Sequence, residues 1–394
     1  MRFLFVVPPL AGHVNPTLAV AAELAARGHQ TAWTGPPEVL TDLLPTRARL
    51  FPAGDHGPGQ GEEATDYPAL HDRWRDLRGV AALHFLWSRA LVPLAHAMLP
   101  GVERAVAAYA PDVLVADQQA LAGPVAARRA GIPWATSATT SAEFTRPFAG
   151  FPKVAEWVTE QITTLLADLG EAPDGPDPRF SPHLVIVYST PELIGTQGQF
   201  SDHFAFVGPA LGGRPGRAAE FPWQRLDPDR SRVLVSLGTL NQEAGSRFYA
   251  AVLGAAERLR RRTQFVLAAP AALTGPVPGH LLLRPAVPQL ALLPHLDAVV
   301  SHGGHNTVCE TLAHGLPLAV APIRDDQPIV AEQVVAAGAG VRLRFGRTRP
   351  QDLYEAVTAV LDDPGHRRSA RRIQASFAAA GGAAAAADRL EKLA

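Results

Sequence analysis

Cysteine is almost missing: Cys309 is the only one in 394 residues. No disulfide can form within the chain, which excludes a small stapled scaffold and fits a reducing, cytoplasmic setting. Excess charge of one sign is missing too, since 36 Lys and Arg face 37 Asp and Glu. Without a basic surplus there is no footprint for nucleic acid or for an anionic membrane surface. Long apolar runs are lacking as well. Residues 3–7 are apolar but stop at Pro8-Pro9, which is too short for the core of a signal peptide. The Ala-rich stretch 383–387 ends at Asp388 and Arg389, far below the ~20 apolar residues of a membrane span. What remains is a chain that is 47% apolar and 19% charged, a globular composition at a length suited to two domains.

Residues 3–7 form a continuous apolar, β-rich run, the mark of a strand buried on both faces. A turn is expected at 10–15, a helix from Pro16 to a stop at Gly28, and a second strand at 30–34. Strand, helix and strand make a βαβ unit, which implies a parallel sheet. Further strands are expected at 113–116 and 184–187, with helices at 80–104 and 154–169. Segments 53–68 and 171–181, rich in Gly, Pro and charge, read as loops. The Gly- and Pro-rich stretch 208–220 has linker composition. The α/β rhythm then restarts, with strands at 232–237, 264–268, 298–301 and 318–321 and helices at 248–260, 307–314 and 328–338. The expected fold class is α/β, with two Rossmann-like domains of parallel sheet, 1–211 and 212–394, facing each other across a cleft. The last helix is expected to pack back on the first domain.

The segment Ser301-His302-Gly303-Gly304-His305-Asn306-Thr307-Val308-Cys309-Glu310 follows an apolar strand and opens a helix. Two glycines let backbone amides approach a ligand, and a helix N-terminus carries a partial positive charge that suits phosphate. Asn306 and Thr307 can cap the helix or donate to phosphate oxygens. His302 can donate to a diphosphate through a ring nitrogen, and Glu310 can accept from ribose hydroxyls. His305 and His314 read as neighbours of this helix and not as catalysts.

His302-Gly303-Gly304-x-Asn306-Thr307-x-x-Glu310, then Gly315-x-Pro317 and Asp326-Gln327, resembles the donor signature of inverting nucleotide-sugar glycosyltransferases with two Rossmann domains (the GT-B type). Bacterial antibiotic and macrolide glycosyltransferases are the kin implied. The resemblance implies that His13, in Gly12-His13-Val14-Asn15-Pro16, is a general base and that Asp117 orients it. It also implies that Ser236, Gly238 and Thr239 contact the donor diphosphate, and that Val287 and Gln289 flank the nucleobase. Asp326 and Gln327 would hold sugar hydroxyls. The chain departs from the family at Ala286, where relatives often place an aromatic residue that stacks on the base. His84, Phe85 and Trp87, with Phe144 and Phe148, fall where the family has its variable acceptor wall.

The implied reaction is sugar transfer from a UDP- or dTDP-sugar to a hydroxyl of a small apolar, natural-product-like acceptor. A neutral imidazole, ordinarily titrating at about 6.5, can take the acceptor proton. A buried carboxylate on its other nitrogen fixes the tautomer. The helix N-terminus and His302 can meet the leaving diphosphate's charge, so neither a metal nor another cofactor is expected. Asp227-Pro228-Asp229 has metal-ligand spacing but precedes its strand, at the wrong end for a ligand site. Three alternatives stay open on sequence: transfer to an aromatic carbon, a nucleotide-sugar epimerase, and a binding protein without catalysis.

Overall fold

The computed structural model describes residues 1–54, 73–74, 77, 79–145, 148–195, 200–213, 221–238 and 245–394. The chain divides into two compact units. The first comprises Met1–Ser189, Gly198–Pro215 and Ala380–Ala394; the second comprises Thr190–Gln197 and Gly216–Ala379. Each unit is an α/β structure built on one parallel sheet.

The first unit holds seven parallel strands: β1 (Arg2–Val6), β2 (Gln30–Gly35), β3 (Arg49–Pro52), β4 (Val113–Asp117), β5 (Trp134–Ala138), β6 (Val185–Val187) and β7 (Phe204–Phe206). Their spatial order is β3-β2-β1-β4-β5-β6-β7. Alternate side chains of β1 feed two cores, as the pleat requires. Leu4 and Val6 pack with Leu94, Met98 and Val102 of the helix Val92–Tyr109. Phe3 and Phe5 pack with Leu18 and Leu24 of helix α1 (Ala11–Ala26) and with Ala386 and Leu390 of the last helix, Gly382–Glu391. Each such side chain, fully buried, contributes roughly 1.5–3 kcal/mol relative to exposure.

The second unit has six parallel strands: β8 (Ser231–Ser236), β9 (Thr263–Ala268), β10 (Leu282–Arg284), β11 (Ala298–Ser301), β12 (Leu318–Val320) and β13 (Gly340–Arg342). The order is β10-β9-β8-β11-β12-β13. Val233 and Val235 face Phe248, Tyr249 and Val252, while Leu234 faces Leu292, Leu293 and Leu316. In both sheets the strand order turns about at one place, between β1 and β4 and between β8 and β11. In open α/β sheets the crevice outside the strands' carboxyl ends at such a reversal is where ligands bind.

The last helix belongs to the first unit. Arg27 at the end of α1 donates to Asp388 and Glu391, at 2.6 and 2.9 Å, and His29 Nε2 lies 2.7 Å from Glu391. No helix among the described residues is long and apolar enough to cross a membrane.

Several elements differ from the sequence expectation. The expected helix 80–104 is Gly79–Phe85, then a π-helical turn Leu86–Leu91, then Val92–Tyr109. Strands β3, β5, β7, β10 and β13 have no counterpart in that expectation. Most of the expected loop 53–68, and residues 214–220 of the expected linker, lie outside the described residues.

Candidate active site

At the reversal in the first sheet, three neighbouring strands end side by side. Val6 of β1 pairs with Ala116 of β4, and Asp117 of β4 pairs with Ser137 of β5. The segments leaving these three strands meet at one place. His13 Nδ1 donates to Asp117 Oδ1 at 2.9 Å. Thr139, just past β5, places Oγ1 2.8 Å from His13 Nδ1 and 2.8 Å from Asp117 Oδ2. The amide of Gln119 donates to Asp117 Oδ1 at 2.8 Å. Asp117 is buried in the first unit's core, whereas the His13 side chain keeps 15% exposure. An ionised carboxylate accepts only, so the proton in the His13–Asp117 bond is on Nδ1 and the lone pair is on Nε2. This is the tautomer a general base needs.

The local structure around His13 corrects the sequence reading. No open turn spans 10–15; α1 begins at Ala11 and His13 is in its first turn. The reversal out of β1 is complete by Leu10, whose carbonyl accepts from His13 and Val14 at 2.9 and 3.1 Å. Pro16 therefore lies inside the helix and does not open it. Thr139 escaped the sequence reading because β5, Trp-Ala-Thr-Ser-Ala, is composed mostly of small residues and carries little apolar signal. The left-handed Gly131 that closes the preceding helix was the available cue, the same punctuation as Gly28 before β2.

Beyond Gln119, Glu143 is held by Gln119 Nε2 at 3.0 Å and lies 3.6 Å from Arg179. Burial raises the Glu143 carboxyl above the usual range, and Arg179 opposes that rise.

The residues expected on an acceptor wall divide. His84 stacks on Trp157 with ring centres 5.0 Å apart, and Ser88 Oγ lies 3.2 Å from its Nδ1. Phe85 lies against Trp74. Trp87 is 3% exposed within the first unit's core, with the Arg179 guanidinium 5.6 Å from its ring centre. Phe144 is likewise buried, edge-on to Phe200 and Phe204 at 5.6 and 6.1 Å. Phe148 packs partly against the core that holds Trp87.

In the second unit the reversal point gathers the donor-type residues. Ser236 ends β8 and pairs with Ser301 of β11. The Ser236 hydroxyl accepts from the amide of Gly238 at 3.4 Å, and the Ser301 hydroxyl accepts from that of Gly303 at 3.1 Å. Thr239 lies outside the described residues. The His302 ring is confined between two glycines. A Cβ on Gly238 would stand 2.8 Å from its Cε1, and one on Gly304 would stand 2.5 Å from its Nε2. His302 is 8% exposed, and burial lowers its pKa to about 4, with the Arg324 charge adding to the fall and Asp326 opposing it. The ring is neutral at neutral pH, and its hydrogen bond to the Ser236 backbone engages its one N–H.

The helix after β11 starts at His305 and not at 307, with Gly304 in the capping place. Asn306 and Thr307 therefore sit within its first turn and are not its cap. First-turn amides have no acceptor within their own helix, so this end suits an anion. Glu310, 1% exposed, accepts from Gln289 Nε2 at 2.6 Å. The segment 287–289 and the carboxylate are thus one construction, with Val287 packed against the nearby core. Gln327 Oε1 accepts from the amides of Ile323 and Arg324 at 2.9 and 3.1 Å, which closes the loop after β12. Within that loop Asp325 is left-handed at φ 59, immediately before Asp326. This is strain of the kind that collects at ligand sites. Asp227 accepts from the Asp229 amide and the Arg230 side chain at 2.9 and 2.6 Å, a turn that leads into β8.

Comparison with known proteins agrees with this architecture. Residues 264–393 match the model of the erythromycin biosynthesis protein CIII-like C-terminal domain. The chain is 30% identical over 431 residues to the 4'-demethylrebeccamycin synthase of Lentzea aerocolonigenes, covering 100% of this chain and 99% of that protein. It is also 30% identical over 421 residues to the demethyllactenocin mycarosyltransferase of Streptomyces fradiae, covering 99% and 86%. Among solved structures, the calicheamicin glycosyltransferase CalG4 superposes with a TM-score of 0.75 at 26% identity, covering 100% of this chain and 98% of that one.

Proposed function

This chain belongs to the antibiotic and macrolide glycosyltransferases of the GT-B type, and from there we propose that it transfers a sugar from a nucleoside-diphosphate donor to a hydroxyl of a small apolar acceptor, inverting the anomeric carbon. The observation that carries this reading is the His13–Asp117 bond of 2.9 Å at the reversal point of the first sheet. His13 Nε2 takes the acceptor proton as the acceptor oxygen bonds to the anomeric carbon. The bond from that carbon to the diphosphate oxygen breaks, and its electron pair leaves with the diphosphate. Asp117 stabilises the imidazolium. The first-turn amides at 305–307 donate to the departing oxygens, with the His302 ring alongside them. Asp326 and Gln327 engage the sugar.

The test is His13→Ala with UDP-glucose and dTDP-glucose as donors and a macrolactone alcohol as acceptor. Loss of a general base should reduce kcat by roughly 10²–10⁴ while donor binding survives. Undiminished turnover at neutral pH would remove His13 from the role. Asp117→Asn should also lose activity, though less.

The positive field of the first-turn amides leaves no step that calls for a metal, and a cytoplasmic setting supplies the nucleotide sugars. Activity should persist in excess chelator; loss that magnesium or manganese restores would overturn this part. Glu310, already held by Gln289, further favours a ribose over a deoxyribose donor, because a 2′-hydroxyl adds one more hydrogen bond to the carboxylate. Titration of UDP and dTDP into wild type and Glu310→Ala decides the matter. Tighter dTDP binding by the wild type would reject the preference.

A further inference from the structure

We infer that Thr139 is a positioning residue of the base, setting the His13 tautomer and holding the Asp117 carboxylate in place through one hydroxyl. This rests on the reading of His13 as base. A hydroxyl has one proton. Thr139 Oγ1 stands 2.8 Å from an ionised carboxylate oxygen, Asp117 Oδ2, which can only accept. The Thr139 proton therefore points to Asp117, and toward His13 Nδ1, also at 2.8 Å, Thr139 can only accept. The Nδ1 proton is then shared between Asp117 Oδ1 at 2.9 Å and Thr139 Oγ1. Three groups close a ring of hydrogen bonds in which every proton has one permitted place. The neutral tautomer with its proton on Nε2, useless as a base, would set the Nδ1 lone pair against both a carboxylate oxygen and the hydroxyl oxygen.

The same ring governs Asp117. Its Oδ1 accepts from His13 and from the Gln119 amide, and its Oδ2 accepts from Thr139. Thr139 is buried, so water does not replace its hydroxyl cheaply. Without that hydroxyl, the Asp117 carboxylate loses a donor and the Nδ1 proton loses an acceptor. Both losses weaken the hold on the His13 tautomer. The next ionisable groups along are Glu143, reached through Gln119, and Arg179 beyond it. Thr139 acts through Asp117 and His13 and not on the substrate.

The experiment compares Thr139→Val, nearly isosteric but without the hydroxyl, with Thr139→Ser. A third variant carries Thr139→Val together with Asp117→Asn, and His13→Ala runs in parallel. UDP-glucose or dTDP-glucose is the donor, whichever turns over faster, with a macrolactone alcohol as acceptor. Thr139→Val should lower kcat about tenfold. It should leave donor KM near wild type, lower the melting temperature by a few degrees at most because a buried carboxylate loses a donor, and shift the acid limb of the kcat/KM profile. Thr139→Ser should restore most of the rate. In the Asp117→Asn background the Val substitution should add little, because the group it serves has gone. A wild-type rate and profile in Thr139→Val, with His13→Ala inactive, overturns this inference alone. Equal failure of Val and Ser variants with a lowered melting temperature assigns Thr139 to the scaffold and overturns it too. Full activity in His13→Ala overturns the base reading and this inference with it.

Discussion

At the scale of single residues, His302 couples a binding group to stability. Its pKa falls from 6.5 to about 4 on folding, chiefly through burial. Between those values the unfolded chain binds the extra proton. The contribution is therefore fully present above pH ~6.5 and is lost as pH falls toward ~4, roughly 3 kcal/mol in all. Urea unfolding should show a smaller loss of stability between pH 7 and pH 4.5 in His302→Asn than in wild type; an unchanged slope would place the acid sensitivity elsewhere. The glycines around the ring give a second prediction. Gly304 has an ordinary φ of −61°, so alanine fits its backbone, yet the added Cβ would stand 2.5 Å from His302 Nε2. Gly304→Ala should weaken UDP binding about tenfold or more by calorimetry, because the displaced ring loses an aligned hydrogen bond. Its melting temperature should move little.

At the scale of elements, α1 carries His13 at one end and the Arg27 cluster at the other. The last helix covers the face of α1 that holds Leu18 and Leu24. Leu390→Ala should cost about 2–5 kcal/mol of first-unit stability by urea unfolding, since Leu390 is fully buried there. Arg27→Gln should cost much less, because its ion pairs are partly exposed. A larger cost for Arg27 than for Leu390 would show that charge and not packing holds the helix. The same elements show what sequence carried. β1, β4 and β11 were legible because Phe-Leu-Phe-Val, Val-Leu-Val and Ala-Val-Val are apolar on both faces, and strand ends located His13, Asp117 and His302. β5 was not, since Ala, Thr and Ser side chains suit a buried strand only after neighbours have closed on it. Gln289 and Glu310 could be named singly, but their bond joins residues 21 apart and follows from folding alone. For Trp87 the sequence offers no distinction, because an aromatic at helical spacing has the same pattern in a core as on a ligand wall.

At the scale of the whole molecule, two separate sheets predict separable responses to ligand. UDP at a hundred times its dissociation constant should stabilise what binds it by about 2.7 kcal/mol. Hydrogen exchange should slow at β8, β11 and the segment 302–310, with little change in β1 to β3. Equal protection across both sheets would contradict a donor site built within the second unit. The return of Ala380–Ala394 to the first unit also has a bearing on how the polypeptide is made. Synthesis runs from the N-terminus, and domains tend to fold in that order as they emerge. Here the first unit must wait, with one side of α1 bare, until all of the second unit has been translated. A ribosome that stalls, or a message that ends, before codon 382 would release a protein with both sheets encoded but an oily groove uncovered. Such products should be ready clients for chaperones and proteases.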